Sequence, residues 1–231
     1  MLHTRGVRLH AAVAGAPTDP LIVLLHGAYG GWFDFRHTIA PLASLGYHVA
    51  ALDQRGFGLS DKPAPRSGDT LHLLRGDLKG AIATLGHTEA TIIAADTGAV
   101  IASALAEAAP HLVRRTLTLP AEPPLPLLLR HAPARVLQRL PRGRDVLDRA
   151  WRNGFARGLA ATDDISADTE EALALRLRAR RIDNALPHIL ATHRLRGHGG
   201  DARGQALDLG PLAHVVAPQN FVAAVGQRLD A

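Results

Sequence analysis

The chain has 231 residues, 47% of them hydrophobic, which is enough for one sizeable core, and its 26 basic against 21 acidic residues leave a net charge of +5. With no cysteine, disulfides, thiolate nucleophiles and cysteine metal sites are excluded. There is no apolar run of about eighteen residues and no basic N-terminal region leading into an apolar stretch and a cleavage site, so a cytoplasmic protein without a membrane partner is expected. The positive charge is nearly all arginine, with Lys62 and Lys79 the only lysines, and it is spread among Ala, Leu and Gly without a basic stripe or interleaved aromatics. A nucleic-acid partner is therefore not expected.

In chain order, residues 6–13 predict an opening strand, and Leu21-Ile22-Val23-Leu24-Leu25 has the continuous apolar character of a strand buried on both faces. Residues 33–45 carry helical spacing and stop at Gly46, 47–52 form the next strand, and 70–85 a further helix ended by Gly86. A central strand over 91–95, a small-residue helix over 98–109 and a strand over 115–119 complete a strand–helix alternation that implies a mostly parallel sheet. From Pro123 onward the chain is rich in Leu, Ala, Arg and Pro, with helices predicted over 127–140, 144–156 and 168–181. The arginine cluster from Arg176 to Arg181 reads as a solvated or domain-facing side of the last of these. The stretch 191–196 is too polar for a core strand, so the late strand region reads as shortened. A strand over 205–209 and an amphipathic helix over 218–229 follow.

Asp96 ends the central strand in Ala94-Ala95-Asp96-Thr97-Gly98, a turn between small residues that lifts one side chain above the sheet's C-terminal edge. A carboxylate there suits attack on a saturated carbon to give an ester that water then cleaves, whereas a serine would suit acyl transfer. The other reading of Asp96 is as an N-cap of the following helix.

Four ordered segments resemble the α/β-hydrolase superfamily, and within it the epoxide hydrolase and haloalkane dehalogenase branch. They are Leu24-Leu25-His26-Gly27 with Trp32 to Ala43, the loop Asp53-Gln54-Arg55-Gly56-Phe57-Gly58-Leu59-Ser60-Asp61-Lys62-Pro63, the turn Asp96-Thr97-Gly98-Ala99, and Ala213-His214 through Phe221. The resemblance implies an α/β-hydrolase fold with a mostly parallel sheet flanked by helices. It also implies a core over 1–122, a helical cap insertion over 123–195 and a returning core over 196–231. Asp96 would be the nucleophile, His214 the base, and Glu122 or Asp201 the carboxylate that orients it. Backbone N–H groups of Thr97 and of Ala28 or Tyr29 would form the oxyanion hole, and Trp32 and Trp151 would contact a small apolar epoxide, halide or ester-like substrate. No metal and no cofactor is implied.

Three departures from that branch bear on activity. Its cap tyrosines are absent, since the only tyrosines are Tyr29 and Tyr47; Thr97 stands where dehalogenases place tryptophan; and the family's histidine register falls on Pro211, leaving His214 displaced. The alternative to a working hydrolase is therefore a ligand-binding relative with an incomplete triad. A different nucleophile, Ser103, lies inside a predicted helix. Oligomeric state is not legible in the sequence.

Overall fold

A computed structural model describes residues 1–64, 70–124, 136, 142–197 and 204–230. Strands β1 (Leu2–Thr4) and β2 (Val7–Leu9) form a separate antiparallel hairpin. A six-stranded sheet is built from β3 (Ala11–Ala14), β4 (Leu21–Leu25), β5 (His48–Leu52), β6 (Ala90–Ala95), β7 (Val113–Leu119) and β8 (Gln205–Ala206) in the order β3-β5-β4-β6-β7-β8. Only β3 runs antiparallel to its neighbour. This is the α/β-hydrolase architecture expected, with the late strand β8 reduced to two residues.

Strands β4, β5 and β6 are buried along their whole length, as their unbroken apolar runs require. Helices α2 (Thr70–Thr84) and α3 (Thr97–Ala108) supply one core layer with Leu78, Ile82, Ile101 and Leu105 against Val23, Leu25 and Ile92. On the opposite face a short α1 (Ile39–Ala43) and the last helix, Pro218–Leu229, pack Leu42, Phe221 and Val225 against Ile22, Leu24 and Ile93. Among the described residues, no helix is long and apolar enough to cross a membrane.

Two expected elements are divided. The opening strand expected over 6–13 is divided at His10 into β2, which forms a hairpin with β1 through Arg5 and Gly6, both at positive φ, and β3, which joins the main sheet. The expected helix over 33–45 becomes a 3-10 turn at Trp32–Phe35 followed by α1, because both the Thr38 N–H and the Thr38 hydroxyl donate to the Phe35 carbonyl and close the turn early. Beyond β7 lie α4 (Gly143–Ala160), α5 (Thr169–Arg180) and α6 (Ala185–His193), then a 3-10 turn at Arg194–Gly197. The polar stretch expected to mark a lost strand is thus helical. The helix expected over 127–140 lies, apart from residue 136, outside the described residues. The short α7 (Ala213–Val216) leads into α8 (Pro218–Leu229).

Helices α4 to α6 lay Leu147, Trp151, Leu177, Leu186 and Ile189 on Ala28, Tyr29 and Phe57, the residues that follow β4 and β5. Those loops are held by Asp53. Its carboxylate accepts from the Trp32 and Leu59 backbone N–H groups, each at 2.9 Å, and contacts His10 Nδ1 at 3.0 Å. Ser60 Oγ donates to the Asp53 carbonyl at 2.7 Å and accepts from His10 N–H at 2.8 Å. Burial alone would raise the Asp53 carboxyl, but the His10 and His26 rings and the two amides outweigh it and leave it below its ordinary value. An Asp53→Ala variant should lose about 2 kcal/mol or more of unfolding free energy, since it orphans buried amides, whereas Asp61→Ala on the exposed pair with Arg8 should change stability little; urea titration compares them.

Candidate active site

The chain leaves β6 at Asp96 with φ 49° and ψ −120°, a conformation that non-glycine residues adopt only when their surroundings enforce it. Enforcement comes from the tight approach of the neighbouring backbone: a Cβ on Gly98 would meet the Leu25 and His26 carbonyl oxygens at 2.9 Å, and one on Gly27 would meet the Asp96 side chain at 2.6 Å. Asp96 has no side-chain capping hydrogen bond, so helix capping does not explain the residue. The carboxylate is buried: Oδ2 accepts from the Ala28 N–H at 3.2 Å and Oδ1 has no hydrogen-bond partner among the described residues.

Against the same Oδ2 stands Arg196, with Nη2 at 2.6 Å and its guanidinium 5.1 Å above the Tyr29 ring. Burial works against the Arg196 charge, yet the Asp96 carboxylate outweighs it and the pKa rises. Tyr29 also meets Trp151 edge-on at 5.3 Å and the His193 ring at 5.6 Å. Beside this cluster, Arg176 joins Asp34 and Glu122 in a buried network. Its Nε and Nη2 donate to Asp34 at 3.1 and 2.9 Å, and Nη1 and Nη2 to Glu122 at 2.7 and 3.1 Å. Burial opposes the Arg176 charge but the two carboxylates prevail and raise its pKa, while burial pushes the Glu122 carboxyl up against the pull of Arg176.

Tyr29, Glu122, Trp151, Phe155 and Arg176 line a cavity of about 10 Å³, room for roughly one water. A larger cavity of about 360 Å³, between Asp19, Tyr47, His87 and Arg114, opens at the N-terminal edge of the sheet, away from Asp96.

The structure therefore brings Asp96, Ala28 and Tyr29 together, with Trp151 and Glu122 close by. Thr97 is buried at the first position of α3. Trp32 meets His10 edge-on at 5.5 Å beside Asp53 and does not line the small cavity. Glu122 is bonded to Arg176 and not to a histidine. Asp201 lies outside the described residues.

His214 is fully buried, 4.9 Å from the Phe35 ring and 6.1 Å from that of Phe221, and neither of its nitrogens has a hydrogen-bond partner among the described residues. Burial pushes its pKa down to about 3. Among the described residues no carboxylate hydrogen-bonds the ring, and Glu122, one of the two expected orienting groups, is bonded to Arg176 instead. His26, next to the elbow, is also committed: Nδ1–H donates to the Gly27 carbonyl at 2.7 Å while Nε2 accepts from the Gln54 N–H at 3.1 Å.

The sequence reading missed Asp34, Arg176 and Arg196. Arg176 sat in a cluster read as solvated or domain-facing, Arg196 in a segment read as a lost strand, and Asp34 inside a predicted helix. An arginine on the apolar face of a helix was the one available signal, at Arg176 beside Ala172, Leu173 and Leu177.

Comparison with known proteins bears on the same geometry. A model of the alpha/beta hydrolase fold family matches residues 20–185. The chain belongs to that family. Within it, the chain is 38% identical over 118 residues to the AB hydrolase superfamily protein YfhM of Bacillus subtilis, a match covering 51% of this chain and 41% of the relative. It is 42% identical over 105 residues to epoxide hydrolase B of Mycobacterium tuberculosis, covering 44% of this chain and 29% of the relative. These matches span less than half of either relative's length. The fold superimposes on epoxide hydrolase A from Mycobacterium thermoresistibile with a TM-score of 0.71 at 23% identity, covering 100% of this chain and 97% of the other. It also matches an enol-lactonase from Burkholderia xenovorans LB400 with a TM-score of 0.73 at 18% identity, covering 99% and 98%.

The environment of His214 has a measurable consequence. The ring stays neutral in the folded protein down to about pH 3 but takes a proton near pH 6.5 when unfolded, so its contribution is fully present above pH 6.5 and is lost as pH falls toward 3. A His214→Leu variant should keep its stability at neutral pH and lose less of it than the parent between pH 7.5 and pH 5, as read from urea midpoints at about those pH values.

Proposed function

We propose that the chain is an α/β-hydrolase of epoxide hydrolase type in which Asp96 attacks a small apolar epoxide, with α4 to α6 forming the cap. The supporting observation is the free Asp96 Oδ1 on a strained strand-to-helix turn, beside a carboxylate oxygen already held by Ala28 and Arg196. An Oδ1 lone pair forms the new bond to a ring carbon, the ring C–O bond breaks, and its electrons pass to the ring oxygen. The product is an alkyl ester on Asp96, and the opened oxygen takes a proton from solvent.

Release of the diol needs a water activated by a base. His214 is kept neutral by burial and has no carboxylate hydrogen bond among the described residues, so ester hydrolysis is slow and the covalent intermediate accumulates. A second reading, a ligand-binding relative without turnover, draws on the Asp96–Arg196 ion pair, which already occupies the carboxylate.

Incubation with styrene oxide followed by intact-mass measurement distinguishes them. The parent should gain the mass of one epoxide and retain it while little diol appears, and Asp96→Asn should gain none. An unmodified parent that binds the epoxide saturably supports the second reading and contradicts the first; rapid multiple turnover contradicts the slow second half-reaction.

A further inference from the structure

Ring opening moves a negative charge from Asp96 onto the epoxide oxygen, and that oxygen needs a donor at the moment the bond breaks. Tyrosine does not occur in the helices over the site, so no phenol from them can supply it. We propose that Arg196 is the electrophilic catalytic residue, its guanidinium hydrogen-bonding the ring oxygen as it becomes an alkoxide. This rests on Asp96 being the nucleophile and adds the partner that reading lacks.

Three observations carry it. Arg196 Nη2 touches the reacting carboxylate at 2.6 Å, so the cation is within reach of anything Asp96 attacks. Its Nε is buried with no hydrogen-bond partner among the described residues, leaving an N–H in want of an acceptor inside the site while Nη2 stays on Asp96. Its plane is held over Tyr29 at 5.1 Å, which limits the directions those N–H groups can take.

The charge accounting is consistent. Before reaction the guanidinium neutralises a carboxylate; afterwards Asp96 is an uncharged ester and the same guanidinium neutralises the alkoxide, which then takes its proton from solvent. A planar fork of five N–H donors can keep one nitrogen on Oδ2 while another faces the ring oxygen. Arginine stays protonated throughout, so it serves as a donor and not as the missing base. A competing donor is the indole N–H of Trp151, buried beside the small cavity with no partner among the described residues.

The test compares labelling rates of the full chain by two electrophiles of similar size, styrene oxide and 2-phenylethyl iodide, whose departing iodide needs no hydrogen-bond donor. In Arg196→Met the ratio of epoxide to iodide labelling should fall about 100-fold relative to the parent. Arg196→Lys should restore part of that ratio, and Trp151→Phe should leave it near the parental value. Equal slowing of both electrophiles in Arg196→Met would mean that the arginine merely positions Asp96, and an unchanged ratio, or a loss confined to Trp151→Phe, would overturn the proposal as well. These outcomes leave Asp96 as nucleophile intact. If neither electrophile labels the parent protein, the nucleophile reading falls and this inference falls with it.

Discussion

Arg176 between Asp34 and Glu122 is the contact on which the arrangement of the site depends. It joins three separate parts of the chain: the turn after β4, the segment after β7 and helix α5. None of these charges is tolerable alone at such burial, because an isolated ion away from water costs several kcal/mol, whereas one cation bonded to two carboxylates satisfies all three. The helical layer is thereby fixed to the sheet edge by directional bonds as well as by the apolar contact of Leu147, Trp151 and Leu177 with Tyr29 and Phe57. Removing one member while leaving its partners buried is far more damaging than replacing the whole set with apolar residues.

The same constraint shapes the chemistry available. Glu122, placed after β7 where a carboxylate could have oriented a histidine, is consumed by Arg176. Asp34 is likewise committed. Around Tyr29 stand the Asp96 carboxylate, the buried Arg196 guanidinium, the His193 ring and, lining the small cavity, Trp151 and Phe155. Under the proposed reading, such a set serves to form an ester at saturated carbon and leaves its hydrolysis slow. A buried carboxylate and a cation are present, whereas the histidine nearest in register sits against Phe35 and Phe221 with its ring kept neutral by burial.

Much of the fold was legible because its signals are local. The apolar runs of β4 and β6 needed no tertiary information, and the loop from Asp53 to Lys62 works through its own backbone amides, so its spacing survives in the sequence. Asp96 was legible for a similar reason, since only small neighbours permit its turn. The long-range charge pairs were not. Arg176 bonds residues 54 and 142 positions away, and Arg196 reaches back to the strand end at Asp96; composition cannot tell such arginines from the solvated ones around them. Helix α6 was missed because a polar stretch excludes a core strand without specifying what replaces it.

The proposal that Asp96, whose Oδ2 is held by Ala28 and Arg196 while Oδ1 has no hydrogen-bond partner among the described residues, is the attacking carboxylate is tested most directly by locating the modification after reaction with an epoxide. Trypsin releases Asp96 within the peptide spanning residues 80–114, between Lys79 and Arg114. Tandem mass spectrometry should find a single ester in that peptide, on Asp96, and unmodified peptides elsewhere. An adduct on Glu122, on a histidine or scattered over exposed carboxylates, with Asp96 unmodified, would contradict the account.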